Sequence, residues 1–178
     1  MSLSLYKPNS KNTGCAFNFR SGINKKQEPV IYISAIQQYS WDDNKKTGNF
    51  SGNRDDSDKN INVKFNEFEI GGMISAFKKR HEYSTFHAYD ENKTSIKLTP
   101  WDKKNKEGKI LPAFGITFLR NGNQSFKLPI EPGEVETLIC FFESYLRDLF
   151  AFRKKEEIKN RMEQKKNQQS EPPSEAPF

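Results

Sequence analysis

A chain of 178 residues that is 29% charged and 34% apolar supports one domain of about 150 residues, burying roughly 70% of its unfolded surface. Its core must draw on 15 phenylalanines, which give large buried area per residue. A net charge of +6 and a pI near 9.2 favour an anionic partner, and with no secretory segment or apolar run near ~18 residues neither export nor membrane insertion is expected.

Met1 to Asn12 is polar and reads as a flexible arm, with Leu3, Leu5 and Tyr6 able to form a short edge strand. Residues 13–152 form the expected domain. Cys15 to Arg20 alternates, with Phe17 and Phe19 inward and Asn18 and Arg20 outward. Val30 to Gln38 has apolar residues on both faces, which predicts a central strand covered on both sides. The polar stretch from Trp41 to Asn60, with only Trp41 and Phe50 large and apolar, reads as a long loop. Its Asp55, Asp56 and Asp58 lack the glutamate and glycine register of a calcium loop. Ile61 to Phe65 is a short strand. Asn66 and Glu69 then form a capping box for a helix whose face is Ile70, Met73, Ile74 and Phe77. Gly71 and Gly72 each cost that helix about 1 kcal/mol, which predicts a close backbone crossing.

Strands follow at Ser84–Tyr89 and Thr94–Trp101, then at Ala113–Arg120 and Gln124–Ile130 around a two-residue Asn121-Gly122 turn. In the first of these, Phe86 and Ala88 are expected inward, leaving His87 and Tyr89 outward, with Tyr89 beside Lys97. Pro132 and Glu134 open the last helix. Its buried stripe is Val135, Leu138, Ile139, Phe142, Leu146, Leu149 and Phe150. Phe141, Tyr145 and Phe152 form a second apolar flank, which predicts a contact between subunits and hence a homo-oligomer. Residues 153–166, with seven Lys or Arg against three Glu, read as a basic helical extension. Residues 167–178, with three prolines and no periodicity, read as a disordered interaction tail. Cys15 and Cys140 read as reduced core residues, and with them comes a cytoplasmic location, or host-cell cytoplasm for a viral protein.

The order predicts an α+β fold in which about seven to eight antiparallel strands pack on two helices, approaching a doubled β-β-β-β-α unit. An OB-fold is the alternative. Over residues 14–152 this order resembles the Whirly and transcriptional-coactivator group of single-stranded DNA-binding folds. That resemblance implies twisted sheets that display their outer face to nucleic acid. The last residues, Glu175, Ala176, Pro177 and Phe178, are similar to the tip of bacterial single-stranded DNA-binding proteins. This second resemblance implies that replication or recombination proteins bind the ring in an apolar pocket and the carboxylate with a basic residue.

Sequence-tolerant binding of single strands needs cations beside aromatic faces. The outward candidates are Arg20, Tyr32, Trp41, His87, Tyr89, Lys97, Trp101, Arg120 and Lys127. Neither helix is a basic recognition helix for duplex. The only histidines are His81 and His87; no zinc spacing or nucleophile motif accompanies them, so no catalytic residue, metal or cofactor is expected. The sequence therefore predicts a single-stranded DNA-binding protein of little sequence specificity, acting in replication, recombination or repair. An RNA-binding or transcription-regulating factor on the same fold, and a structural assembly protein, are the alternatives.

Overall fold

Alternating apolar residues fold the chain into two antiparallel sheets that close on each other. A computed structural model describes residues 1–170, with side-chain surroundings through residue 166; the tip Glu175–Phe178 lies outside the described residues. In chain order the elements are β1 (Ser2–Lys7), β2 (Cys15–Ile23), β3 (Pro29–Gln37), β4 (Ser40–Asp42), β5 (Thr47–Asn49), β6 (Asn60–Phe65), α1 (Glu67–Lys79), β7 (Tyr83–Tyr89), β8 (Asn92–Lys104), β9 (Ile110–Arg120), β10 (Gln124–Ile130) and α2 (Pro132–Ser170). One sheet has the order β1-β2-β3-β6 and the other β10-β9-β8-β7. Each half is thus a four-stranded meander followed by a helix, with the β4–β5 hairpin inserted in the first.

The α+β class with antiparallel sheets and two helices is the expected one, with ten strands instead of seven to eight. The surplus has two sources. The N-terminal arm is a true edge strand, β1, paired with β2 from Ser2–Arg20 to Lys7–Cys15. The stretch read as a loop contains the β4–β5 hairpin, whose turn is held by Asp42 Oδ1 accepting from the Asn44 and Lys45 amides at 2.9 and 3.0 Å. Two open meanders are not the closed five-stranded Greek-key barrel of an OB-fold.

The inner faces meet at phenylalanines. Phe17 packs edge-on to Phe118 at 5.2 Å between ring centroids, and Phe65 lies 6.1 Å from Phe118. The helices join the same core, Phe142 of α2 against Phe19 at 5.9 Å and Phe77 of α1 against Phe114 at 5.0 Å. Edge-on aromatic pairs contribute about 0.5–1.5 kcal/mol beyond their burial.

Local signals behave as chemistry dictates. Asn66 Oδ1 accepts from the Glu69 amide and Glu69 Oε2 from the Asn66 amide, both at 2.9 Å. Asn121 and Gly122 sit at φ 53° and 75°, and the Asn123 amide donates to the Arg120 carbonyl. The ladder starts only at Arg120–Gln124, so the connection is three residues and not two. Arg153 donates to Glu67 at 2.7 Å and to Glu28 at 3.4 Å, tying α2 to α1 and to the β2–β3 turn. That hydrogen bond holds the Glu67 carboxyl below its ordinary range.

Three further expectations change. Phe141 and Tyr145 are buried within the chain, Tyr145 with only 3% exposure, while Phe150 is exposed. Two of the three flank residues that predicted a subunit contact are therefore covered by the chain itself, and only Phe152 stays half-buried. Cys15 is buried and its thiol is pushed up to about 12 by desolvation, whereas Cys140 is exposed. Finally, α2 runs through the basic extension to Ser170, four residues past 166.

The glycine pair in α1 has an asymmetric cause. A Cβ on Gly72 would lie 2.3 Å from the Tyr83 ring, whereas one on Gly71 meets nothing within 4 Å. The close approach is to a side chain, not to backbone. Gly72→Ala should therefore lower stability by about 1–3 kcal/mol, while Gly71→Ala should raise it by about 0.5–1 kcal/mol through helix propensity. Urea unfolding of the two variants checks this; equal shifts of the same sign would refute the assignment.

Candidate nucleic-acid interface

Because the inner faces share one core, every second residue of each strand points away from it. On the first sheet the register lines up three outward rows: Ser2, Arg20, Tyr32 and Lys64; Ser4, Asn18, Ser34 and Asn62; Tyr6, Ala16, Ile36 and Asn60. No aspartate or glutamate stands in any of them. The Arg20 guanidinium lies over the Tyr32 ring, 5.7 Å from its centroid, a cation–π contact that leaves the charge facing solvent. Tyr6 is 61% exposed, with Phe50 edge-on at 5.9 Å.

The β4–β5 hairpin overhangs this face. Beneath it is a cavity of about 900 Å³ lined by Tyr6, Trp41 and Phe50 together with Lys45, Lys46 and Arg54. A smaller one of about 240 Å³ shares Tyr6, Ile36 and Arg54 with it and continues over Asn18, Ser34 and Asn62. A third, of about 640 Å³, shares Ile61 and Asn62 and reaches round the β6 edge to Tyr32, Lys64, Tyr89 and Arg120. The three form one track across the sheet. Among the described residues Arg20, Lys45, Arg54 and Lys64 have no carboxylate partner, and exposed Lys46 has only exposed Asp43 at 3.7 Å.

The candidates read from sequence divide among several places. Arg20 and Tyr32 stand on the track's face, and Trp41 sits in the hairpin above it, its indole N–H donating to Asp43 at 3.2 Å. Tyr89 and Arg120 are at its far edge. Arg120 is engaged there, donating to the Ser57 carbonyl and to Gln124, so it braces the loop before β6. Lys97, Lys127 and Trp101 lie on the outer face of the second sheet, away from the track. Tyr89 pairs with Asn92 and Lys97 with Ser84, so those two are not neighbours.

His87 faces the other way from its expected position. Thr85 and His87 turn inward, and Phe86 is left 60% exposed. The cause is Glu69, buried by its place in the capping box. Thr85 Oγ1 donates to its Oε1 at 2.7 Å. His87 Nε2 lies 2.7 Å from the same oxygen, off the hydrogen-bonding axis, which makes it an ion pair when protonated. Its ring rests against Phe65 at 5.4 Å. A buried carboxylate needs polar neighbours, and β7 supplies them by turning its polar face in. His87 is thus a packing and pairing residue turned toward Glu69, and its half-buried ring also lines the third cavity, at the far end of the track.

Sequence reading missed Tyr6, Lys45, Lys46, Phe50, Arg54 and Lys64 as binding candidates. The alternation of Asn62 and Lys64 with Val63 and Phe65 carried the signal for Lys64, and the parity of Leu3 and Leu5 carried it for Tyr6. Arg54, next to a short 3₁₀ turn at Ser51–Asn53, had none. Among the described residues no cluster of histidine, cysteine and carboxylates is arranged to hold a metal, and no helix is long and apolar enough to cross a membrane. Comparison with protein-family models, curated proteins and solved structures finds no match to this chain.

Removing the His87 ring should lower stability by about 1–2 kcal/mol, the usual cost when a buried polar group loses a partner. Denaturant unfolding of His87→Ala tests this, and an unchanged midpoint would contradict the inward placement.

Proposed function

We propose that this chain binds single-stranded DNA with little sequence specificity, along the track on the outer face of the first sheet. The carrying observation is a sheet face without carboxylates on which exposed Tyr6 and half-buried Tyr32 stand among the unpaired cations Arg20 and Lys64. It runs on into the cavity under the β4–β5 hairpin, where half-buried Trp41 and Phe50 meet Lys45, Lys46 and Arg54 with Asp42 as the one carboxylate. Bases stack on Tyr6, Phe50, Trp41 and Tyr32, each stacked base contributing about 1–3 kcal/mol whatever its identity. Phosphates are neutralised by Arg20, Lys45, Lys46, Arg54 and Lys64, with release of counterions. The middle row of Ser4, Asn18, Ser34 and Asn62 supplies neutral polar contacts between them.

A duplex keeps its base faces stacked inside, so this arrangement favours open strands. Such a protein serves where strands stand open, in replication, recombination or repair. RNA presents the same base faces, and competition between DNA and RNA oligomers decides between them.

Titration of fluorescent oligo(dT) and of duplex at several salt concentrations tests the reading. Oligo(dT) should bind in the sub-micromolar to micromolar range and more tightly than duplex, with a log–log salt slope of about −0.7 per phosphate neutralised. Lys64→Ala should reduce that slope by about 0.7. Trp41→Ala should weaken binding by about 5- to 150-fold and leave the slope unchanged. Equal affinity for duplex, or none for either, refutes the proposal.

A further inference from the structure

The second sheet repeats the pattern. Its outward residues are Ser84, Phe86 and Ala88 on β7; Lys93, Ser95, Lys97, Thr99 and Trp101 on β8; Ala113, Gly115, Thr117 and Leu119 on β9; and Ser125, Lys127 and Pro129 on β10. None is a carboxylate, although the chain has 23 of them. A face that served solubility alone would mix both signs of charge. Lys97 and Lys127 are exposed on either side of Thr117 in one row, about 10 Å apart at two strand spacings. Neither has a carboxylate partner among the described residues. Two large aromatic residues flank them in solvent, Phe86 at 60% and Trp101 at 45% exposure.

This face also has an extension. β7 pairs no further along β8 than Tyr83–Leu98, and β10 no further along β9 than Ile130–Phe114. β8 and β9 continue to pair as far as Lys104–Ile110. A two-stranded ribbon thus projects beyond the sheet. Its root is fixed by Arg80 to Asp102 at 2.5 Å and Lys103 to Glu131 at 2.8 Å. Its tip turns at Gly108, φ 78°, and presents exposed Lys104, Lys106 and Lys109 with Glu107 as the one acid.

We propose that the outer face of the second sheet, with its ribbon, is a second nucleic-acid surface, so that one chain holds two strand segments at once. The inference rests on the reading of the first sheet as a binding face, and it turns the protein from a strand coat into a strand bridge. Lys97, Lys127 and the ribbon lysines neutralise phosphates of the second segment, while Trp101 and Phe86 offer stacking platforms. The two segments are kept apart by the shared core, since both inner faces are used in closing it.

Counting bound strands tests this. The full chain, at a concentration well above the dissociation constant, is titrated at low salt with an oligo(dT) of about eight nucleotides, within the ~4–16 that one binding module covers. The expected result is two oligonucleotides per chain, read by native mass spectrometry and by the equivalence point of a fluorescence titration. The variant carrying K97E, K127E and W101A should bind one, as should the variant carrying Y6A and K64E. All of these side chains are exposed, and unchanged thermal melting verifies the fold of each variant. One oligonucleotide per wild-type chain overturns the second surface. If that one is then lost in the Y6A and K64E variant, the reading of the first sheet stands alone; no binding at all overturns both.

Discussion

The fold depends on the contact between Phe17, Phe65 and Phe118, where the two sheets meet face to face. Loss of a buried phenylalanine side chain costs about 3–5 kcal/mol, a large share of the 5–15 kcal/mol that separates a typical domain from its unfolded state. The contact also decides what is left over. Once the inner faces are closed on each other and the helices dock through Phe19–Phe142 and Phe77–Phe114, each sheet has one face with no further part in the core. Antiparallel sheets tolerate this, because a solvated face leaves no backbone group unpaired within the sheet.

Charge is distributed to match. Carboxylates gather at the helices and loops, where they hold neighbouring elements: Glu134 to Lys7, Glu143 to Lys78, Glu67 and Glu28 to Arg153. These pairs are partly exposed and individually weak, as surface ion pairs are, so they set how elements sit more than they set stability. The buried Glu69 takes polar partners from β7. Cations such as Arg20, Lys64, Lys97 and Lys127 remain on the sheet faces without carboxylates opposite them. A modest net charge of +6 thereby becomes two surfaces of one sign.

Much of this was legible in the residues. The alternation of Phe17 with Phe19, and of Ile116 with Phe118, placed inner faces correctly; Asn66 and Glu69 fixed the start of α1; the Val135–Leu149 stripe fixed the docked face of α2. The failures have physical causes. Period-2 alternation divides β7 into two faces without saying which is inside, and the deciding group, Glu69, lies on a different element. β4 and β5, three residues each, are too short for a period to show. Burial of Phe141 and Tyr145 followed from the helical period, but the period cannot say whether another subunit or the same chain covers them. The nine candidate binding residues carried no mark of which sheet they belong to, since that depends on pairing between distant strands. The joining of Tyr6, Phe50 and Arg54 into one cavity is likewise a tertiary fact.

The central claim, that nucleic acid lies on the sheet faces, is tested most directly by photo-crosslinking an oligonucleotide containing 5-iododeoxyuridine to the full chain and mapping the adducts by peptide mass spectrometry. The expected adducts fall on sheet-face and hairpin aromatics, with exposed Tyr6 and half-buried Tyr32, Trp41 and Phe50 foremost. Adducts confined to the basic stretch of α2, residues 153–166, with both sheets unlabelled, would contradict it.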